Sequence, residues 1–167
     1  LLDSYFESEY NIGSMLDTLF HADFFKAESA RFARVKSPVE LVVGTLRLAG
    51  GIDRPTDDIY DAAQACGNMG QIIFNPPSVD GWQGGDEWIS TGSVVQRVNY
   101  ASKIIGDTSR PGVQSIIQYI RDAAPLDPDY LVDQALWLIG PLLLSPASRQ
   151  GLVDFAVSLG RINSDDP

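Results

Sequence analysis

The sequence has few of the residues that build the commonest catalytic and metal-binding sites. Cys66 is the only cysteine and His21 the only histidine among 167 residues. One cysteine excludes an internal disulfide and a cysteine-based zinc site. Metal sites and catalytic triads pair histidine with a further ligand or acid, so a lone histidine in an apolar segment is expected to pack or to interact with a helix end. Nucleotide-binding glycine loops, nucleophile elbows and zinc-protease motifs are also absent, so no cofactor is predicted.

Clusters of positive charge and long apolar runs are lacking as well. The chain has 12 basic and 22 acidic residues and a net charge of −10. This balance argues against nucleic acid and against anionic membrane surfaces as partners. The longest apolar run, "ALWLIGPLLL", is too short to span a bilayer, and Gly140-Pro141 interrupts it. The chain does not begin with methionine, and we expect it to be a piece of a longer protein.

Helical periodicity runs through nearly the whole chain and predicts an all-α fold of about seven short helices. The predicted helical segments are residues 12–20, 37–51, 54–74, 90–106, 111–124, 127–144 and 145–160. We expect a single domain over residues 1–160 with a flexible tail over 161–167. Because the helices are short and irregularly connected, a roughly orthogonal array is favoured over a regular four-helix bundle.

Several helix boundaries carry local signals. Ser37-Pro38 followed by Glu40 predicts a capping box, and Asp127-Pro128 and Ser145-Pro146 predict two further helix starts. Pro76-Pro77 is expected to end the helix that begins near residue 54.

The apolar spacing also predicts which helix faces are buried. The residues on these faces are Ile12, Met15, Leu16, Leu19 and Phe20; Val39, Val42, Val43 and Leu46; Ile59, Ala63, Cys66 and Met69 or Gly70; Val94, Val95, Val98, Ala101, Ile104 and Ile105. Gly67 and Gly70 suggest close packing against a neighbouring helix. The apolar stripes of "LWLIGPLLL" and "GLVDFAVSLG" are expected in the core or a subunit contact, and if exposed they would mark a surface for another part of the parent protein.

The segment "NPPSVDGWQGGDEWIST", residues 75–91, suits neither helix nor strand and predicts one long Gly/Pro/Trp-rich loop. Together with "VKSPVELVVGTLR" and "MGQIIF…STGSVVQRVNYA", it resembles the C-terminal region of the bacterial family called domain of unknown function 1800. The resemblance covers roughly residues 10–160, with its most specific part at 35–101. Tyr100 stands where the family usually has Phe, and Ser78 where Asn is common.

This resemblance implies a longer parent protein that is exported from a bacterium, and it brings no established activity. It also implies two partners. One is a protein similar to the sulfatase-like domain of unknown function 1501 family, and the other is the N-terminal part of the parent chain itself.

Two tryptophans in the loop, Trp82 and Trp88, lend themselves to two interpretations. Both indoles could fill gaps between helices, which is the interpretation we favour because tryptophan is usually well buried. Alternatively, they could stack on a sugar ring or grip a peptide.

Three acids, Asp80, Asp86 and Glu87, accompany these rings. With Asn75 or Gln83 they could form an oxygen-ligand calcium site, although their spacing matches no EF-hand pattern. They could also form an acid–base pair for glycoside hydrolysis. Solvated loop acids are the simpler interpretation, and we predict no metal site.

The remaining polar residues of the family-like motif are Glu40, Gln71, Asn75, Arg97 and Asn99. A Glu40–Arg97 pair that locks two helices is one option. A pocket beneath the tryptophans, lined by Gln71, Asn75 and Arg97, is the functional alternative.

The sequence therefore leaves three hypotheses and does not decide whether the protein is an enzyme. The first is a non-catalytic interaction or scaffolding module of an exported protein. The second is a carbohydrate-binding or carbohydrate-active domain that uses the loop at 75–91. The third is part of an active site that the parent's N-terminal region completes.

Overall fold

The computed structural model describes residues 1–31, 33–51, 54, 56–123, 126–140 and 142–160. These residues form nine α-helices and two short 3-10 turns, and none of them belongs to a strand. The helices are α1 Leu2–Glu7, α2 Ile12–His21, α3 Asp23–Lys26, α4 Pro38–Ala49, α5 Asp57–Asn68, α6 Thr91–Ile105, α7 Pro111–Asp122, α8 Pro128–Ile139 and α9 Pro146–Leu159. The all-α prediction is confirmed, and the helices beyond the expected seven are the short α1 and α3. The predicted tail at 161–167 lies outside the described residues.

Contacts divide the chain into two compact units, Leu1–Val35 and Lys36–Pro167. The first unit contains α1, α2 and α3. Within it, the Ser4 hydroxyl donates to the Ser14 carbonyl oxygen at 3.1 Å and joins α1 to α2. His21 lies in the last turn of α2, where its Nδ1 is 2.9 Å from the Asp17 carbonyl oxygen. This contact is the helix-end interaction expected of the lone histidine.

The apolar face predicted for α2 is more exposed than expected. Met15 and Leu19 are half-buried, whereas Ile12, Leu16 and Phe20 are exposed. No described residue of Leu1–Val35 is fully buried. The aromatic rings of this unit instead contact one another, as Phe20 and Phe25 do with ring centroids 5.2 Å apart.

The second unit contains α4 to α9, and its helix starts follow the sequence signals. Ser37 and Glu40 form the predicted capping box of α4, and the Asp127 and Ser145 side chains accept the N–H groups expected of caps on α8 and α9. Such caps each stabilise a helix by about 1 kcal/mol. Gly50 ends α4 with a positive φ of 72°. These boundary predictions are confirmed.

The main core of this unit lies where α4 packs against α5, α6 and α7. Its buried side chains are Val42, Leu46, Ala49, Ala62, Cys66, Met69, Ile104 and Val113. The pair α8 and α9 has a smaller core of Val132, Val153 and Ala156.

Several side chains that were predicted to be buried lie outside this core. Val43 on α4 and Ile59 and Ala63 on α5 are exposed. On α6 the apolar residues Val94, Val95 and Val98 are exposed as well.

The face that α6 turns toward its neighbours carries Ser93, Arg97, Tyr100 and Ile104, which recur at helical spacing. Ser93 and Ile104 are buried, and Arg97 and Tyr100 are half-buried. Ser93 and Arg97 donate hydrogen bonds to the Trp88 and Lys36 carbonyl oxygens, and these bonds offset part of the cost of covering them. The valine stripe faces outward.

The carboxyl-terminal apolar stripes are likewise only partly in the core. Helix α8 ends at Ile139 rather than continuing to 144, because Gly140 adopts a φ of 119°. Trp137, Phe155 and Leu159 are exposed. The core interpretation is wrong for these three residues, and their alternative role as a contact surface stays a prediction.

Close backbone packing joins the end of α4 to the start of α7. A Cβ atom on Gly112 would overlap the Leu48 carbonyl oxygen and lie 2.7 Å from the Ala49 carbonyl carbon. Only glycine allows this approach without a shift of one helix. Close packing was predicted at Gly67 and Gly70 instead. A Cβ on Gly67 would make only an ordinary contact, 3.6 Å from the Ile72 side chain, and one on Gly70 would contact nothing within 4 Å.

Candidate functional site

Two backbone hydrogen bonds fix the start of the loop that follows α5. The Gly70 N–H donates to the Gly67 carbonyl oxygen at 2.9 Å, and the Gln71 N–H donates to the Cys66 carbonyl oxygen at 2.8 Å. This is a Schellman motif, and Gly70 supplies its left-handed residue with a φ of 100°. Helix α5 therefore ends before Gly70, and Pro76-Pro77 does not end it as predicted.

A side-chain hydrogen bond ties the same point to α4. The Val39 N–H at the start of α4 donates to Gln71 Oε1 at 3.0 Å. An Arg97 Nη2 on α6 donates to the Lys36 carbonyl oxygen at 2.9 Å. Burial lowers the pKa of the Arg97 guanidinium. Three elements thus meet at the N-terminus of α4.

The polar residues of the family-like motif separate into two groups. Glu40, Gln71 and Arg97 converge on the N-terminus of α4, where Glu40 accepts the Ser37 N–H at 2.7 Å. Arg97 joins this group through its hydrogen bond to the Lys36 carbonyl oxygen. Asn75 and Asn99 are exposed elsewhere in the same unit.

Beyond Gln71 the chain makes a first hydrogen-bonded turn. The Asn75 N–H donates to the Ile72 carbonyl oxygen at 3.1 Å. Phe74 occupies the third position of this turn with a φ of 63°, and its side chain is 96% exposed. Glycine or asparagine usually takes such a position because a side chain strains the backbone there.

A second turn follows the two prolines. The Gly81 N–H donates to the Ser78 carbonyl oxygen at 3.1 Å, and the Asp80 N–H donates to Ser78 Oγ at 3.2 Å. Val79 stands at the second position of this turn and is fully exposed. We call residues 72–81 the twin-turn loop, because its two turns present Phe74 and Val79 almost entirely to solvent.

After the twin-turn loop the chain lines a cleft of about 530 Å³. Trp82 is half-buried in its wall, whereas Trp88 is buried at 9% exposure. The Ser93 hydroxyl donates to the Trp88 carbonyl oxygen at 2.7 Å and fixes the 3-10 turn Gly85–Trp88 against α6. Trp88 thus has the structural role expected of both tryptophans, whereas Trp82 is only half-buried.

The three loop acids do not come together. Asp80 lies in the second turn, Asp86 is exposed in the 3-10 turn, and Glu87 lines the cleft. The Gln83 amide nitrogen, in the orientation that its surroundings favour, donates to the Glu87 carboxylate. Among the described residues, no three acidic, histidine or cysteine side chains are grouped to hold a metal ion, so the calcium hypothesis gains no support from the geometry.

The cleft also differs from the pocket expected beneath the tryptophans. Its lining includes Asn68, Met69 and Pro77 but not Gln71, Asn75 or Arg97. The last three positions were predicted from the motif to line this pocket, and they lie outside its lining.

A second depression, of about 280 Å³, lies between α5 and α6. We call it the amide groove, because four carboxamides line it: Gln64 and Asn68 from α5, and Gln96 and Asn99 from α6. Of these four residues, only Asn99 was predicted from the sequence as a candidate site residue. The signal was available as amide residues at helical spacing on two neighbouring helices.

Two ion pairs border the amide groove. Asp61 Oδ2 lies 3.6 Å from Lys103 Nζ, and Asp58 Oδ1 lies 3.0 Å from Arg110 Nη2. Tyr100 lies in the wall, and burial, together with the nearby Cys66, raises its pKa to about 12. Both carboxylates therefore face a cation, and Tyr100 stays a neutral phenol at physiological pH.

Comparison with known proteins adds the family. The family model described as protein of unknown function (DUF1800) matches residues 1–164. No curated protein and no solved structure is significantly similar to the chain. In the described part of the chain, no helix is both long and apolar enough to cross a membrane. Since the match extends over nearly the whole sequence, the chain belongs to the DUF1800 family of proteins of unknown function.

Proposed function

We propose that this chain is a non-catalytic interaction module that binds a partner protein through its twin-turn loop. The observation that carries the proposal is Phe74, whose side chain is 96% exposed on a backbone with a φ of 63°. A bulky residue in this region of backbone space costs of order 1–3 kcal/mol. Such strain persists where the surrounding structure fixes it, and it concentrates at functional sites.

The loop has the two properties that a recognition element needs. Its base is held by the Schellman motif and by the Val39–Gln71 hydrogen bond. Its tip presents Phe74 and Val79, which together would leave solvent on binding. A loop that is already ordered binds at a smaller entropic cost than a flexible one.

The partner that the family resemblance implies is the sulfatase-like protein of the domain of unknown function 1501 family. Export of both proteins from the bacterial cytoplasm belongs to the same proposal. The net charge of −10 favours a partner surface that is neutral or basic around an apolar pocket.

The test is the affinity of the purified chain for this companion from the same genome. Phe74→Ser and Val79→Ser should each weaken binding by about tenfold or more, as expected for the loss of a buried apolar anchor. Tyr60→Ser and Val43→Ser remove side chains that are exposed on α5 and α4 and serve as matched controls. Equal affinities for all four variants and the unaltered chain would refute the role of the loop.

A second candidate function is carbohydrate binding in the cleft beside the loop. Trp82 is only half-buried there, and Glu87 lines the same cleft. An indole face packs against the C–H face of a sugar, and a carboxylate accepts hydrogen bonds from hydroxyl groups. Trp82→Ala should abolish any sugar binding, and binding that survives this change would exclude the cleft.

A further inference from the structure

We infer that the cleft and the amide groove form one continuous site for a neutral, linear oligosaccharide. The inference deepens the second candidate function and rests on it. Asn68 and Met69 line both depressions, so the two meet at these residues. The cleft that contains Trp82 therefore continues into the amide groove.

The length of the combined site exceeds that of one sugar ring. The amide groove follows α5 from Asp58 to Asn68, which is ~15 Å of helix. The cleft continues beyond Asn68 toward Trp82 and Glu87. A chain of several sugars would therefore contact both parts, whereas a monosaccharide would occupy only one.

The hydrogen-bonding chemistry of the groove suits hydroxyl groups. Each of its four carboxamides offers two donors and an acceptor. A sugar hydroxyl also donates and accepts, so amides on both walls can pair with it in either sense. The floor between them is apolar, from Ala65, Met69 and Ile104, and can cover the C–H face of a sugar.

Charge in the groove favours a neutral ligand. Asp61 faces Lys103 at 3.6 Å, and Asp58 faces Arg110 at 3.0 Å. A charged ligand would have to compete with these pairs, whereas a neutral one leaves them intact. An extended peptide is a poorer match, because peptide grooves rely on a sheet edge or on apolar pockets for alternate side chains.

The experiment measures binding of the 167-residue chain to cellotetraose, maltotetraose, xylotetraose and mannotetraose, and to the corresponding monosaccharides, by calorimetry. We expect at least one tetrasaccharide to bind about tenfold or more tightly than its monosaccharide. Gln96→Ala and Asn99→Ala should weaken tetrasaccharide binding several-fold and leave monosaccharide binding in the cleft unchanged. Gln114→Ala, an exposed glutamine on α7 outside the groove, is the matched control.

The possible results distinguish failure of the continuous site from failure of sugar binding in the cleft. If no tetrasaccharide binds better than its monosaccharide, or if Gln96→Ala and Asn99→Ala leave the affinity of the tightest one unchanged, the continuous site is refuted while sugar binding in the cleft stands. Absence of binding by all seven sugars overturns both the continuous site and the second candidate function. Helix content by circular dichroism shows that each variant is folded.

Discussion

The Val39 backbone N–H donates to Gln71 Oε1 at 3.0 Å, and this one bond joins the start of α4 to the base of the twin-turn loop. The first N–H groups of a helix have no partner within the helix. Gln71 supplies one from another element, 32 positions along the chain. The motif glutamine therefore caps a helix and positions a loop at the same time.

Removal of this acceptor should destabilise the chain. Gln71→Met keeps the length of the side chain but leaves the half-buried Val39 N–H unpaired, at a cost of about 1 kcal/mol. Urea denaturation would show this as a lower midpoint with an unchanged slope. Gln114→Met, at an exposed helical position, should leave the midpoint in place. Equal midpoints for the two variants would mean that the bond contributes nothing to stability.

Two glycine substitutions should have opposite effects on the free energy of unfolding, because only one of them lies at the contact between α4 and α7. Gly112→Ala should destabilise by about 1–3 kcal/mol, because the added methyl group overlaps the Leu48 carbonyl oxygen. Gly44→Ala, in the middle of α4 with nothing within 4 Å of the new atom, should stabilise by about 0.5–1 kcal/mol. Thermal unfolding of both variants tests the prediction, which is contradicted if Gly112→Ala is neutral.

Cys66 should report on opening of the main core. Its side chain is buried, and burial raises the pKa of the thiol. Because the thiolate is the reactive form, both effects slow its reaction with a disulfide reagent. We expect the reaction to be on the order of a hundredfold or more slower in the native chain than in urea. Reaction at the same rate in both conditions would place Cys66 at the surface.

Tyr100 predicts a loss of stability at high pH. Its pKa is raised from the ordinary 10.0 to about 12, mainly by burial. Between these values the unfolded chain loses the phenolic proton while the folded chain keeps it, so the free energy of unfolding falls as the pH rises. Tyr100→Phe should show a shallower fall over this interval. In a titration followed by tyrosinate absorbance, the unaltered chain should show one more ionising tyrosine than the variant, with a midpoint near pH 12.

If the stability of the Tyr100→Phe variant falls as steeply with pH as that of the unaltered chain, the ionisation of Tyr100 does not cause the loss of stability. The alkaline transition would then belong to other groups.

Helix starts could be predicted from the sequence because their causes are local. Ser37, Asp127 and Ser145 each accept a backbone N–H only three residues away. The packed face of α6 could not be predicted in this way. Its three outward valines give a stronger apolar signal than Arg97, which is half-buried because it bonds to a carbonyl 61 positions earlier.

The candidate site shows the same division. Trp82 and Glu87 were found from their residue types, and both line the cleft. Phe74 and Val79 were missed, because apolar side chains are assumed to turn inward unless a turn places them outside. Because the Schellman motif ends α5 before Gly70, residues 72–81 form turns and expose these two side chains. The motif depends on the backbone at Gly70 and not on the prolines downstream.

Site-specific photo-crosslinking tests most directly whether a partner protein binds at the twin-turn loop. A photoreactive phenylalanine analogue would replace Val79 in one experiment and Gln114 in the other, in cells that also express the proposed sulfatase-like companion. We predict a crosslinked product with the companion from position 79 and none from position 114. Equal yields at the two positions, or no product at position 79, would contradict the proposed interaction module.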